Sequence, residues 1–179
     1  MASTDTTKGV VRGEDVVTRP GARKALALMR IALGFVFFWA FIDKLLGFGF
    51  MTSSDKAWIH GGSPSTGFLG HVEGPFSGLF SAFGGMGAFA DVLFMAGFLG
   101  IGTALILDIG LKVAAVSSTI LLFLMYLAEF PLANGGTNPL IDAHILDIIM
   151  IITVCLTRAG DTWGLGKWWR GLVGESWLR

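Results

Sequence analysis

Four long apolar runs cross this chain, and its basic residues lie almost wholly on one side of them. The runs cover residues 25–48, 89–109, 113–130 and 140–157. A helix needs about 20 mostly apolar residues to cross the hydrocarbon core of a bilayer. The third and fourth runs are short and are expected to stand with little tilt. With 53% of its 179 residues hydrophobic and 15% charged, the chain carries more apolar surface than a soluble domain requires. The expected class is an all-α integral membrane protein, a four-transmembrane-helix antiparallel bundle.

The charges orient it. Lys8, Arg12, Arg19, Arg23, Lys24 and Arg30 precede or open the first run, Lys112 separates the second and third, and Arg158, Lys167, Arg170 and Arg179 follow the fourth. Only Lys44 and Lys56 lie toward the other side. The positive-inside rule places both termini in the cytoplasm and residues 49–87 and 131–139 outside. Residues 1–24 read as a disordered cytoplasmic tail, polar throughout, with no cleavable signal peptide, so the first helix serves as its own insertion signal. Residues 25–157 read as the membrane domain, and 158–179 as an interfacial cytoplasmic tail. A net charge of zero gives no reason to expect nucleic acid. Cys155 stands alone, so no intrachain disulfide or dithiol pair is available.

The outer loop, 49–87, is too long for a simple turn. Its first half is irregular and rich in Gly, Ser and Pro. In its second half Phe68, Leu69, Val72, Phe76, Leu79, Phe80 and Phe83 recur at helical spacing, which predicts an interfacial helix over the outer mouth. The tail holds Trp163, Trp168, Trp169 and Trp177. Trp168, Trp169, Leu172, Val173 and Trp177 share one face, with Lys167, Arg170 and Arg179 beside them. This predicts a C-terminal amphipathic helix in the inner headgroup layer, with docking of a cytoplasmic partner as the alternative. Ala96, Gly100 and Ala104, with Gly97 and Gly102, form a small-residue stripe that allows close helix approach. Packing within the chain and a homodimer interface are both open readings of it.

Seven ionisable residues fall in one outer layer: Asp43, Lys44, Asp91, Glu129, Asp142, His144 and Asp147. Insertion of a charge at the bilayer centre costs about 2.5–3.5 kcal/mol, so such groups usually face the bundle interior. Asp147, about 12 Å below Pro139 at 1.5 Å per residue, is hardest to excuse as interfacial. His144 and Asp147 are three residues apart on one helix face, the arrangement of an imidazole held by a carboxylate for proton transfer. They are the candidate catalytic pair. Asp43, Lys44, Asp91, Tyr126, Glu129, Asp142 and His60 are the candidate lining of a substrate or quinone pocket. Each also has a structural reading. Asp91 and Asp142 suit helix caps, Glu129 reaches the interface, and Arg30 is expected to snorkel inward. The layer is either a functional pocket or a structural hydrogen-bond network.

A bundle haem would usually take a histidine from each of two helices. Only His144 lies within a run, with His60 and His71 in the outer loop. The three histidines have no zinc-site spacing, and no flavin, nucleotide or iron–sulfur motif occurs. Redox chemistry here therefore requires a diffusible quinone.

The segments RIALGFVFFWAFIDKL, WIHGGSPSTGFL, GPFSGLF, NPLIDAHI and TWGLGKWW resemble the DoxX/DoxD family of bacterial integral membrane proteins, over about residues 25–170. They are most similar to the DoxD-type small membrane subunit of thiosulfate:quinone oxidoreductases. The resemblance implies a four-helix protein of the bacterial plasma membrane, linked to quinone reduction with thiosulfate or a related sulfur anion as donor. It also implies a partner subunit of the DoxA type, for which this chain has no counterpart. A membrane scaffold for a redox-protective or sulfur-transfer complex is the alternative. A small proton-coupled transporter is a second one, although the sequence has no inverted repeat and no broken helix pair.

Overall fold

A computed structural model describes residues 13–70, 72–134 and 138–178, and these form helices and connecting turns with no strand. The expectation of disorder over residues 1–12, together with His71 and Arg179, lies outside the described residues. The helices are α1 (Gly13–Val16), α2 (Pro20–Leu46), α3 (Thr66–Leu69), α4 (Ser77–Gly84), α5 (Ala88–Leu107), α6 (Leu111–Ala128), α7 (Pro131–Asn134), α8 (Ala143–Leu156) and α9 (Gly166–Val173). Short 3₁₀ turns cover Ser54–Lys56, Trp58–His60 and Ala159–Asp161.

Among the described residues, three helices are long and apolar enough to cross a membrane: Pro20–Leu46, Ala88–Leu107 and the continuation of α6 through α7, Leu111–Ala133. Their outward side chains, among them Phe35, Val36, Val92, Val116 and Ile120, are exposed and apolar, as lipid contact requires. These features suit a multi-pass membrane protein. The fourth run forms a shorter helix than its 18 apolar-run residues suggest, because Asp142 caps it: α8 has 14 residues. Ahead of that cap, Asn138 Oδ1 accepts the backbone N–H groups of Leu140 (2.9 Å) and Ile141 (3.0 Å). The NPLI lead-in thus has two of its amides satisfied without helix, which a non-helical stretch near lipid needs.

α2 begins on Pro20 and ends on Gly47, whose φ of 71° closes the left-handed cap, its N–H donating to Asp43 O at 2.7 Å. Antiparallel to it runs α5. Arg30 reaches the carbonyls of Leu105 and Ile106, Phe38 packs on Gly102, and Lys44 stands over Phe94. Close approach rests on Gly34 and Gly102. A Cβ on Gly102 would lie 2.7 Å from Phe38 N, and one on Gly34 2.8 Å from Ile106 N. The Ala96–Gly100–Ala104 stripe is not this contact; a Cβ on Gly100 would meet nothing within 4 Å. α6 returns after the tight turn at Asp108–Gly110, and α8 packs on α6 and α2. The core combines Leu33 and Phe37 of α2, Phe98, Ile101 and Leu105 of α5, Leu111, Ala114 and Leu122 of α6, and Ile148 and Ile151 of α8.

Two elements differ from the sequence reading. The helix expected after Gly67 is split into α3 and α4, since Gly74 (φ 94°) and Pro75 interrupt it. α9 ends at Val173, before Gly174 (φ 63°), so Trp177 does not share its face. Within α9, Trp168 is exposed while Trp169 turns toward the bundle and donates its indole N–H to Leu178 O at 2.7 Å. Residues 13–24, expected as tail, form α1 and the first turn of α2, with Gly13 N–H donating to Asp161 Oδ2 at 2.7 Å.

The glycine contacts give a paired expectation. Gly102→Ala should lower stability by about 1–3 kcal/mol through overpacking against Phe38. Gly100→Ala should stay within about 0.5 kcal/mol of the parent. Thermal unfolding of the detergent-solubilised variants measures both; equal effects would contradict the assigned helix contact.

Candidate functional site

At the end of the bundle that carries residues 47–87, two buried carboxylates hold that loop. Asp43, with 0% exposure, accepts the N–H groups of Met51 (2.9 Å), Thr52 (2.9 Å) and Phe50 (3.4 Å). A carboxylate that collects backbone donors in this way fixes the turn that follows α2. Asp91, buried on the first turn of α5, receives three bonds on Oδ1: from Ser63 Oγ (2.8 Å), Ser65 N (2.8 Å) and Ser65 Oγ (2.6 Å). The glycines of HGGSP serve the same loop. Gly61 has φ 88°, and a Cβ on Gly62 would overlap the carbonyl of Lys56. His60 is exposed and bonds locally, its Nδ1 lying 2.7 Å from Ser54 O.

The loop so fastened roofs a cavity of about 160 Å³. Phe68, Phe80 and Phe83 come from the 49–87 segment, Leu93 and Phe94 from α5, and Leu121 and Met125 from α6; Ser65 is the polar residue in the wall. Phe68 stacks on Phe94 at 6.3 Å, and Phe94 meets Phe98 edge-on at 4.6 Å. Lys44 Nζ stands 5.8 Å from the Phe94 ring centroid, a cation over the aromatic face. The cavity thus has an apolar, ring-lined interior and a half-buried positive charge against one of its walls.

The ionisable residues of α8 form a separate group. Asp142 caps the helix through Oδ1, which accepts Ile145 N–H at 3.0 Å, and holds His144 through Oδ2, 2.7 Å from Nδ1. The imidazole partner is therefore Asp142 and not Asp147. The cap residue has extended backbone (ψ −173°), which turns its carboxylate back over the first turn. With Nδ1 on the carboxylate, Nε2 is the nitrogen left to exchange a proton. Asp147, half-buried, has His144 and Asp142 as its charged neighbours. Tyr126 is buried between Phe123 (6.2 Å) and Phe130 (6.0 Å), and Glu129 is exposed at the end of α6. The structure thus sets Lys44 over Phe94, one wall of the aromatic cavity, with Lys44 itself outside the lining, and seats Asp91 under the loop that roofs it. It puts Asp142, His144 and Asp147 together elsewhere at that end.

A cluster at the opposite end was not anticipated. Arg30 does not snorkel: it has 0% exposure, and its guanidinium donates to Leu105 O, Ile106 O (2.8 Å) and Trp163 O (2.9 Å). Asp108 is buried beside it in the left-handed conformation (φ 61°) that ends α5. A Cβ on Gly160 or Gly166 would overlap the Asp108 carboxylate, and one on Gly164 would lie 2.8 Å from Asp108 Cβ. The tail therefore packs its glycines on this aspartate, and Leu165 N–H donates to Leu107 O at 2.8 Å. The signal was present in the spacing of Gly160, Gly164 and Gly166 around Trp163.

Asp91→Ala should leave the Ser65 amide and two hydroxyls without their acceptor, at about 1–3 kcal/mol for a buried group. Limited proteolysis should then cut the 61–70 segment several-fold faster, whereas Asp147→Ala should leave the rate at the parental value. Comparison with protein-family models, with curated proteins and with solved structures gave no match.

Proposed function

We propose that this chain is the membrane subunit of a quinone-linked oxidoreductase that uses thiosulfate or a related sulfur anion as electron donor. The observation that carries the reading is the aromatic cavity. Its volume of about 160 Å³ is close to the roughly 150 Å³ apolar cavity that accepts benzene in an engineered protein, so one six-membered ring fits. Aromatic walls suit a planar ring. Reduction of a quinone takes two electrons from the donor and two protons from the medium. Lys44 would favour the negative charge that develops on the ring or draw in the anionic donor. His144, fixed by Asp142 at the same end of the bundle, is the group suited to proton exchange.

The membrane arrangement follows from the same reading. α8 with its NPLI lead-in completes a four-helix antiparallel bundle in a bacterial plasma membrane, with both termini cytoplasmic. Exposed Trp163, Trp168 and Leu172 at the basic end support an interfacial seat for the tail. The motif resemblance to the DoxX/DoxD family supports the donor class and a partner subunit.

One observation favours the scaffold alternative: the Asp43 and Asp91 carboxylates both bind loop donors, as structural clasps would. A stoichiometric partner in pull-downs from native membranes, without quinone reduction, would support that reading. The continuous courses of α2, α5 and α6 give no support to transport through broken helices.

Purified protein in liposomes, supplied with thiosulfate and a ubiquinone analogue, should reduce the quinone. Asp142→Asn and His144→Ala should each lower turnover by about 100-fold, and Lys44→Gln should lower kcat/KM by about tenfold. Unchanged rates in all three variants would remove these roles.

A further inference from the structure

α5 and α6 share a seam that is filled unevenly. Its outer half is the aromatic cavity, between Leu93 and Phe94 on one helix and Leu121 and Met125 on the other. Its inner half is a groove of about 360 Å³, between Gly97, Gly100 and Ala104 of α5 and Val113 and Ser117 of α6. Residues 93, 97, 100 and 104 keep the spacing of a single helix face, as do 113, 117, 121 and 124. The two spaces therefore lie along one line. They adjoin where Gly97 of the groove faces Leu121 of the cavity, 3.9 Å from a Cβ placed on the glycine. Trp169 and Leu178 close the inner end.

Resting on the quinone reading above, we infer that this seam seats one prenylated quinone, with its ring in the aromatic cavity and its isoprenoid chain along the α5–α6 groove toward Trp169. Shape supports this. A ring-sized compartment and a groove lie end to end with Leu121 between them, and the path from Ala90 to Ala104 is about 21 Å at 1.5 Å per residue. The small side chains of α5 make the groove, and no residue of the described chain fills the space over Gly100. The linings support it too: Phe68, Phe80 and Phe83 wall the cavity, and Ser65 and Ser117 are the hydroxyls of otherwise apolar linings, as a neutral ring and a hydrocarbon chain require.

The test uses the full chain in lipid nanodiscs with two photoreactive ubiquinone analogues. One carries a diazirine at the end of its isoprenoid chain, the other on its ring. The chain-end probe should label peptides containing residues 96–104 and 110–117, and the ring probe those containing 68–86. Gly100→Leu, where the added side chain meets open space, should cut chain-end labelling by about tenfold and leave ring labelling unchanged. Ser117→Leu provides the same obstruction from α6 if the first variant fails to fold. Chain-end label spread equally over the lipid-facing Phe35 and Val36 would overturn the inference. So would a diazirine phospholipid that labels the seam and is not displaced by unlabelled ubiquinone. Ring label absent from 68–86 in the parent protein would instead overturn the quinone reading, a failure distinct from loss of the groove.

Discussion

Arg30 places a full positive charge inside a helical bundle and directs it at three carbonyl oxygens. Two belong to the last turn of α5, where unpaired carbonyls and the negative end of the helix dipole both favour a cation. The third belongs to the tail. A single side chain of α2 thus completes the end of α5 and fixes the path of the segment after α8. Asp108, beside it, requires glycine at the facing positions of that segment. The antiparallel register of α2 and α5, the turn into α6 and the placement of α9 all depend on this joint.

The opposite end solves the complementary problem with the opposite charge. There the unpaired groups are the N–H donors of an irregular loop, and carboxylates accept them. Asp43 holds the chain as it leaves α2, and Asp91 holds it again just before α3. Near a membrane, water is not available to every loop amide, so such bonds decide whether the loop has a fixed course. The cavity is a product of this arrangement. Phe68 lies over Phe94 because Ser65, three residues earlier, is tied to the start of α5.

Long apolar runs and charge asymmetry were legible in the sequence because each is a property of consecutive residues. Partners across helices were not legible. Arg30 looked like a residue near a helix end because its depth was readable and the register of α5 against it was not. His144 was paired with Asp147 by counting along a helix, yet Asp142 stands just outside the helix, where the backbone is extended and the rule of three does not apply. The outer phenylalanines kept helical spacing across Gly74 and Pro75, and the backbone preferences of those two residues prevailed over the pattern. Of the pocket residues, Lys44 was placed beside an open space, while the roles of Asp43 and Asp91 depended on loop amides that composition does not reveal.

The unequal lengths of the helices have a mechanical consequence for the surrounding lipid. α2 has 27 residues, about 40 Å of helix, and α8 has 14, about 21 Å. A hydrocarbon core is about 30 Å thick. Seated in a bilayer, α2 would span that thickness with some tilt while α8 would fall short of it, so lipid would thin beside α8 alone. The molecule would act as a wedge in thickness, gathering short-chain lipids on the flank where His144 and Asp142 stand.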